Sequence, residues 1–185
     1  MFVVLDRDGT LINHVHYLTD LNQVVVIPEA IDALRLLNSA NIPTVVITNQ
    51  PVVAKGLITR ESLDFLHLRL SQTFARFGTT IGEFYVCPHQ ESDFCQCRKP
   101  KTLLLQQAAL ALGQAPSSAF VCGDSLVDME LASGAGAQGI HVRTGVTKQP
   151  LPGFPSFANV LEATKFVLST LGSEHQPFPG SSSVA

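Results

Sequence analysis

The 185 residues are 45% hydrophobic and 15% charged, enough apolar content for one well-cored domain and a short chain for two. A net charge of −3 excludes general nucleic-acid binding, which needs a basic surface, so any bound anion must be met by local cations. No charged leader precedes the first strand and no apolar run approaches bilayer-spanning length, so the expectation is a soluble, cytoplasmic monomer with no membrane partner.

Phe2 to Leu5 is an unalternated apolar run that reads as a strand buried on both faces. It ends in Asp6-Arg7-Asp8-Gly9-Thr10, two carboxylates one residue apart. On an extended chain these project to the same side and can flank one small group; the plainer alternative is a turn with Gly9 at positive φ. Leu11 to Gln23 has no clear period and reads as a loop with a short edge element, and Val24 to Ile27 as a brief strand. Pro28 and Glu29 open an amphipathic helix carrying Ile31, Leu34, Leu36 and Leu37. Thr44 to Ile47 is a second buried strand, followed by Thr48-Asn49-Gln50.

Thr59 starts a helix whose stripe is Leu63, Leu66, Leu70, Phe74 and Phe77, stopped by Gly78. Phe84 to Val86 is a third strand. Thr102 to Leu112 is a helix ending at Gly113, Ala119 to Cys122 a strand ending in Gly123-Asp124, Leu126 to Ser133 a helix, Gly139 to Val142 a strand, and Asn159 to Leu171 a last helix. We therefore expect one domain over residues 1–173, with the Pro-, Gly- and Ser-rich segment 174–185 as a disordered tail.

Short apolar strands alternating with helices describe an α/β protein: an open, doubly wound, Rossmann-like parallel sheet covered by helices on both faces. Ligands of such sheets bind beyond the carboxyl ends of the strands. Asp6 and Asp8, Thr48 and Asn49, Arg98 and Lys99, and Asp124 and Asp128 all follow strands and so converge on one edge, which a turn alone does not explain. Three crowded carboxylates (Asp6, Asp8, Asp124) call for a cation, and an oxygen-only set used with phosphate suits Mg2+. Lys99, the Arg98 fork and the Thr48 hydroxyl can hold phosphoryl oxygens. A carboxylate nucleophile, a second carboxylate to move a proton, Mg2+ and a lysine are the parts of phosphoryl transfer through an aspartyl-phosphate.

Cys87, His89, Cys95 and Cys97 offer three thiolates and one imidazole in the loop 87–97. This is a full tetrahedral set with no open position, so a zinc here would be structural, the alternative being unliganded thiols. Arg98 and Lys99 follow directly, so a zinc loop would fix both cations at the rim of the site. Cys122 reads as a small core residue of its strand.

Asp6-x-Asp8-Gly9-Thr10, Thr48, Lys99 and Gly123-Asp124-x-x-x-Asp128 together resemble the four motifs of the haloacid dehalogenase-like phosphohydrolases, in order over roughly residues 2 to 145. The resemblance implies that Asp6 attacks phosphorus and that Asp8 protonates the leaving oxygen, then activates water. It also implies that Thr48 and Lys99 hold the phosphoryl oxygens and that Asp6, the Asp8 carbonyl and Asp124 bind Mg2+. Asp128 is either a partner behind that shell or a first-turn acid favoured by the helix dipole. The cysteine cluster with Arg98-Lys99-Pro100 and Thr48-Asn49-Gln50 is similar to the subgroup of heptose bisphosphate and histidinol-phosphate phosphatases. The loop Asn13 to Tyr17 and the lack of a dehydratase domain favour the D-glycero-D-manno-heptose 1,7-bisphosphate 7-phosphatase branch, an activity of nucleotide-activated heptose synthesis, with histidinol phosphate as the alternative substrate.

That resemblance implies a small phosphorylated sugar as partner, contacted by His14, Tyr17, Thr48, Asn49, Gln50, Arg98 and Lys99; His14 and Tyr17 can equally be solvated loop residues. Ser125 stands where many relatives carry lysine, and Pro51-Val52-Val53 replaces a smaller segment. Loss of a cation beside Asp124 weakens a second phosphate's hold unless Arg98 or Lys55 compensates. A phospho-accepting receiver domain also has acids on such a sheet, but accounts for neither Asp-x-Asp nor the cysteine loop.

Overall fold

The computed structural model describes residues 1–173; the expected tail lies outside them. Six strands form one sheet, β1 (Phe2–Leu5), β2 (Thr44–Asn49), β3 (Glu83–Cys87), β4 (Ala119–Gly123), β5 (Gln138–Val142) and β6 (Ser156–Phe157), in the order β3-β2-β1-β4-β5-β6. Every pairing is parallel. The helices are α1 (Pro28–Ser39), α2 (Arg60–Arg76), α3 (Leu103–Ala111), α4 (Leu126–Gly134) and α5 (Val160–Ser173).

The strand period of two sorts the apolar residues onto opposite faces. Val3, Leu5 and Val46 pack with Leu34 and Leu37 of α1, Leu66, Leu70 and Phe74 of α2, and Val160 and Val167 of α5. Phe2, Val4, Val45 and Ile47 pack with Leu104, Leu105 and Ala108 of α3 and Leu131 of α4. Both faces are therefore covered, as expected of a doubly wound sheet. Cys122 is fully buried in the first of these cores. Among the described residues no helix is long and apolar enough to cross a membrane.

Two local expectations fail, and one strand goes beyond them. Val24 to Ile27 is not a strand: Val26 makes only an isolated bridge to Ile12, and one 3-10 turn covers Leu21–Gln23. Phe77 leaves the helical stripe; it follows the last turn of α2 at 45% exposure, and its carbonyl accepts from Arg35 Nη2 at 2.8 Å. Strand β6 was not expected, because two residues carry no period; its flanks are held by backbone bonds from His141 to Pro155 (2.9 Å) and Arg143 to Phe157 (3.0 Å).

The order of strands reverses between β1, which leads through α1 to β2, and β4, which leads through α4 to β5. Crevices form at such a switch point. Asp6 at the end of β1 and Asp124 at the end of β4 stand on either side of it.

Candidate active site

The ladder runs one residue past β1, where the Asp6 N–H donates to the Cys122 carbonyl at 2.9 Å. The chain then turns: the Arg7 carbonyl accepts the N–H groups of Leu11 and Ile12 at 3.0 and 3.1 Å, and Gly9 sits at φ +80°. The turn and the site are thus one object. A Cβ on Gly9 would lie 2.5 Å from Asp124 Oδ2, so glycine is required both for its φ and for the approach of β4.

Lys99 is the cation at the centre. Its Nζ donates to Asp6 Oδ1 at 2.6 Å and to Asp128 Oδ1 at 2.7 Å, and only 6% of the residue is exposed. It stands inside the site and not at its rim; of the two cations, only Arg98 keeps a partly exposed position. Burial works against the Lys99 charge, yet Asp128 and Asp6 outweigh it and hold its pKa above the ordinary lysine value. Asn49 brackets the same residue, donating to the Lys99 carbonyl at 3.1 Å and accepting from its N–H at 2.9 Å.

The carboxylates of Asp6, Asp124 and Asp128 offer oxygens that all lie within 4.8 Å of one another, close enough to hold a metal ion. One lysine does not neutralise three acids. Burial, only partly answered by Lys99 and reinforced by Asp128, Asp124 and Asp8, pushes the Asp6 carboxyl up to about 8. Burial also raises Asp124, although the Val146 N–H donates to its Oδ2 at 2.5 Å. A divalent cation relieves this excess of negative charge, and an all-oxygen donor set is the kind hard cations take. Asp128 is the first-turn acid of α4 and also a partner of Lys99: its Oδ1 accepts from Lys99, while its Oδ2 accepts from Ser125 Oγ at 2.6 Å and from the Ser125 N–H at 3.3 Å. Ser125 is thereby committed to Asp128.

Asp8 has a different environment. Arg7 Nε donates to its Oδ2 at 3.0 Å and Nη2 to its Oδ1 at 3.1 Å, while Gln50 Nε2 donates to Oδ2 at 2.8 Å. The same Gln50 amide reaches Thr48 Oγ1 at 2.8 Å. Asn49 and Gln50, expected on the substrate, thus use their amides to hold Lys99 and Asp8, although both also line the cleft.

That cleft, of about 230 Å³, is lined by Asp6, Asp8, Asp124, Lys99, Arg98 and Ser125 on the sheet side and by His14 to Leu18 and Pro51 on the other. The expected contacts His14, Tyr17 and Arg98 therefore face it, whereas Thr48 is buried at its 1% exposure. Lys55 Nζ stands 5.2 Å from the centre of the Tyr17 ring, a cation–π distance.

The four residues of the cysteine loop converge. Sγ of Cys87 lies 3.1 Å from that of Cys97 and 3.6 Å from that of Cys95; Cys95 and Cys97 are 3.6 Å apart, and His89 Nδ1 is 3.2 Å from Cys97 Sγ. A tetrahedron with metal–sulfur bonds of about 2.3 Å has edges of roughly 3.8 Å, so this group could close around one ion. The loop also holds Arg98, whose Nη1 donates to the His89 carbonyl at 3.2 Å.

The profile of the HAD-hydrolase-like family matches residues 96–168. A D-glycero-beta-D-manno-heptose-1,7-bisphosphate 7-phosphatase of Pseudomonas aeruginosa is 34% identical over 155 residues, 81% of this chain and 87% of that protein. The chain belongs to the haloacid dehalogenase-like phosphatases. A D-glycero-alpha-D-manno-heptose-1,7-bisphosphate 7-phosphatase of Mycobacterium tuberculosis is 37% identical over 136 residues, 72% of each chain. The crystal structure of a D,D-heptose 1,7-bisphosphate phosphatase from B. bronchiseptica, complexed with magnesium and phosphate, superposes with a TM-score of 0.84 at 26% identity, covering 92% of this chain and 99% of that one.

Membership makes the protein a phosphoric monoester hydrolase and removes the receiver-domain alternative. Sequence reasoning missed several parts of this phosphatase site. Gly145 approaches so closely that a Cβ there would lie 1.8 Å from Asp124 Oδ2, and Thr144 Oγ1 donates to the Gly9 carbonyl at 2.5 Å. His141 Nε2 lies 3.3 Å from the Asp124 carbonyl, its Nδ1 2.8 Å from Ser156 Oγ. Arg7 and His67 were also overlooked, although a histidine on the apolar stripe of α2 signals a polar partner in the core.

Proposed function

We propose that this phosphatase removes the 7-phosphate of D-glycero-D-manno-heptose 1,7-bisphosphate, in the synthesis of nucleotide-activated heptose, through an aspartyl-phosphate. The relatives' names supply the substrate, and one observation carries the mechanism: two carboxylates, one residue apart, are held by different partners, Asp6 by Lys99 and Asp8 by Arg7 and Gln50. Residues 1–173 act as one catalytic, monomeric domain, with loop 87–97 closed on structural zinc. Asp6, Asp124 and the carbonyl of Asp8 hold Mg2+. Bound there, Mg2+ supplies positive charge that keeps Asp6 ionised and draws charge from the phosphoryl oxygens.

Asp6 attacks phosphorus as the bond to the sugar oxygen breaks, and Asp8 gives that oxygen its proton. Water then attacks the phosphorus of the aspartyl-phosphate, Asp8 takes the water's proton, and phosphate leaves with Asp6 restored. Lys99, with Thr48 and backbone N–H groups, meets the charge on the transferring group. Arg98, which lines the cleft, and Lys55, over the Tyr17 ring, are the cations for the phosphate at position 1, since Ser125 is occupied with Asp128.

Phosphate release from the α and β anomers of heptose 1,7-bisphosphate and from histidinol phosphate, with Mg2+, tests this reading. A heptose preference of at least tenfold is expected, and Asp6→Asn should abolish turnover. A tenfold preference for histidinol phosphate, about 1.4 kcal/mol in transition-state binding, overturns the substrate; full activity of Asp6→Asn overturns the mechanism.

A further inference from the structure

Arg7 is the largest fully buried side chain among the described residues, at 0% exposure. A guanidinium cannot shed its charge, so burying one is costly unless its donors are met. Nε and Nη2 meet Asp8, and Nη1 lies 3.0 Å from Nε2 of His67, sixty residues away on α2. Arg7 has only donors, so His67 Nε2 must be the acceptor and the ring must be neutral, with its proton on Nδ1. Burial, with Arg7 and Arg60 adding, lowers the His67 pKa to about 3, and the ring is fixed by stacking on Phe84 of β3, 4.3 Å between centroids at 10°. The anchor thus runs from the sheet through His67 and Arg7 to a catalytic carboxylate.

The two oxygens of that carboxylate are used unequally. Oδ2 meets Arg7 Nε at 3.0 Å, Arg7 Nη2 at 2.9 Å and Gln50 Nε2 at 2.8 Å, whereas Oδ1 accepts only Nη2 at 3.1 Å. A carboxylate oxygen accepts about two hydrogen bonds, so Oδ2 is saturated and Oδ1 is not.

We propose that Arg7 and His67 are positioning residues for proton transfer: they fix the plane of Asp8 so that Oδ1 is the oxygen that hands the proton to the leaving group and takes it from water. This rests on the reading of Asp8 as the acid and base. A buried ion pair that served stability alone would slow all substrates alike. A pair that aims the acid matters most where the leaving oxygen needs a proton, and least where it departs as a stable anion.

The test is the single-turnover rate of the first step with Mg2+ on heptose 1,7-bisphosphate, an alkyl ester, and on 4-nitrophenyl phosphate. His67→Leu removes the acceptor, and Arg7→Lys keeps the buried charge but loses the fork. Each should slow the sugar ester on the order of tenfold more than the aryl ester, with the half-saturating Mg2+ concentration unchanged. His67→Gln, which restores an acceptor, should return the ratio to within about twofold of the parent. Asp8→Asn sets the scale, with a bias of about a hundredfold. A biased Asp8→Asn beside unbiased His67→Leu and Arg7→Lys overturns the positioning role alone, while an unbiased Asp8→Asn overturns the assignment of Asp8 itself.

Discussion

Lys99→Met probes the balance of charge in the site before any chemistry occurs. The substitution keeps a linear apolar stem but strips the cation shared by Asp6 and Asp128 at 2.6 and 2.7 Å. Breaking a buried ion pair by removing one partner costs about 3 to 5 kcal/mol. At about 2 to 4 °C per kcal/mol for a chain of this size, the melting temperature should fall by about 6 to 20 °C. The loss should also depend on pH. The folded-state pKa of Asp6, about 8, stands above its unfolded value of 3.8, so the folded state keeps a proton that the unfolded chain has released. Its contribution is present at low pH and declines as pH rises toward 8. Lys99 opposes that rise, so without it the Asp6 pKa stands higher still: both proteins lose the same stability up to about pH 8, the variant alone goes on losing it, and the deficit should widen between about pH 8 and about pH 10. Urea or thermal unfolding of both proteins, in magnesium-free buffer with zinc retained, measures it. Added Mg2+ should narrow the gap by binding the folded form alone. Exposed Lys165 is the control, with Lys165→Met expected within about 0.5 kcal/mol of the parent. A Lys99→Met deficit no larger than the control's, or one unchanged across that pH range, would refute the charge balance described for this site.

Gly145→Ala forces a Cβ to within 1.8 Å of Asp124 Oδ2 and should raise the half-saturating Mg2+ concentration by about tenfold or more; a titration of phosphate release against Mg2+ that matches the parent contradicts the metal role of Asp124. If zinc closes loop 87–97 as proposed, atomic absorption should find about one zinc per chain of the parent and a loss of it in Cys97→Ser. Because Arg98 hangs on the His89 carbonyl, the variant should raise KM more than it lowers kcat, and equal changes in both would detach Arg98 from substrate binding. Lys55→Met removes the cation over Tyr17 and should raise KM for a bisphosphate severalfold while leaving a monophosphate unaffected; equal effects on the two would assign Lys55 to loop packing.

The sheet was legible because strands buried on both faces read as unbroken apolar runs, and because the carboxyl ends of parallel strands must share one edge. Asp6, Asp8, Lys99 and Asp124 needed no more than that topology to be brought together. What escaped was anything set by tertiary proximity without a local pattern. Asn49 and Gln50 looked like donors to a phosphate, yet the register of β2 beside β3 and the approach of Lys99 turn their amides onto protein partners. Val24 to Ile27 has the composition of a strand but only the short segment Leu11 to Asn13 to pair with, through two backbone bonds and one isolated bridge. The loop from Arg143 to Thr147 offers no motif at all, and reaches Asp124 only because β5 lies beside β4.

The period of two puts Asp6 and Asp8 on the same side, able to flank one small group. Both do line one cleft, but the chain leaves the strand at Asp6, and the intervening residue decides what Asp8 becomes. Had Arg7 pointed to solvent, Asp8 would have been one more acid in a cluster already short of positive charge. Instead the turn drives Arg7 inward against His67, and its buried guanidinium is the fork that receives Asp8. Asp6 is thereby left to Lys99 and the cation site, and Asp8 to a fixed cation that takes no part in binding metal. Two chemically identical groups 2 residues apart acquire the separate surroundings that the proposed nucleophile and proton carrier need, because the residue between them is buried, charged and anchored.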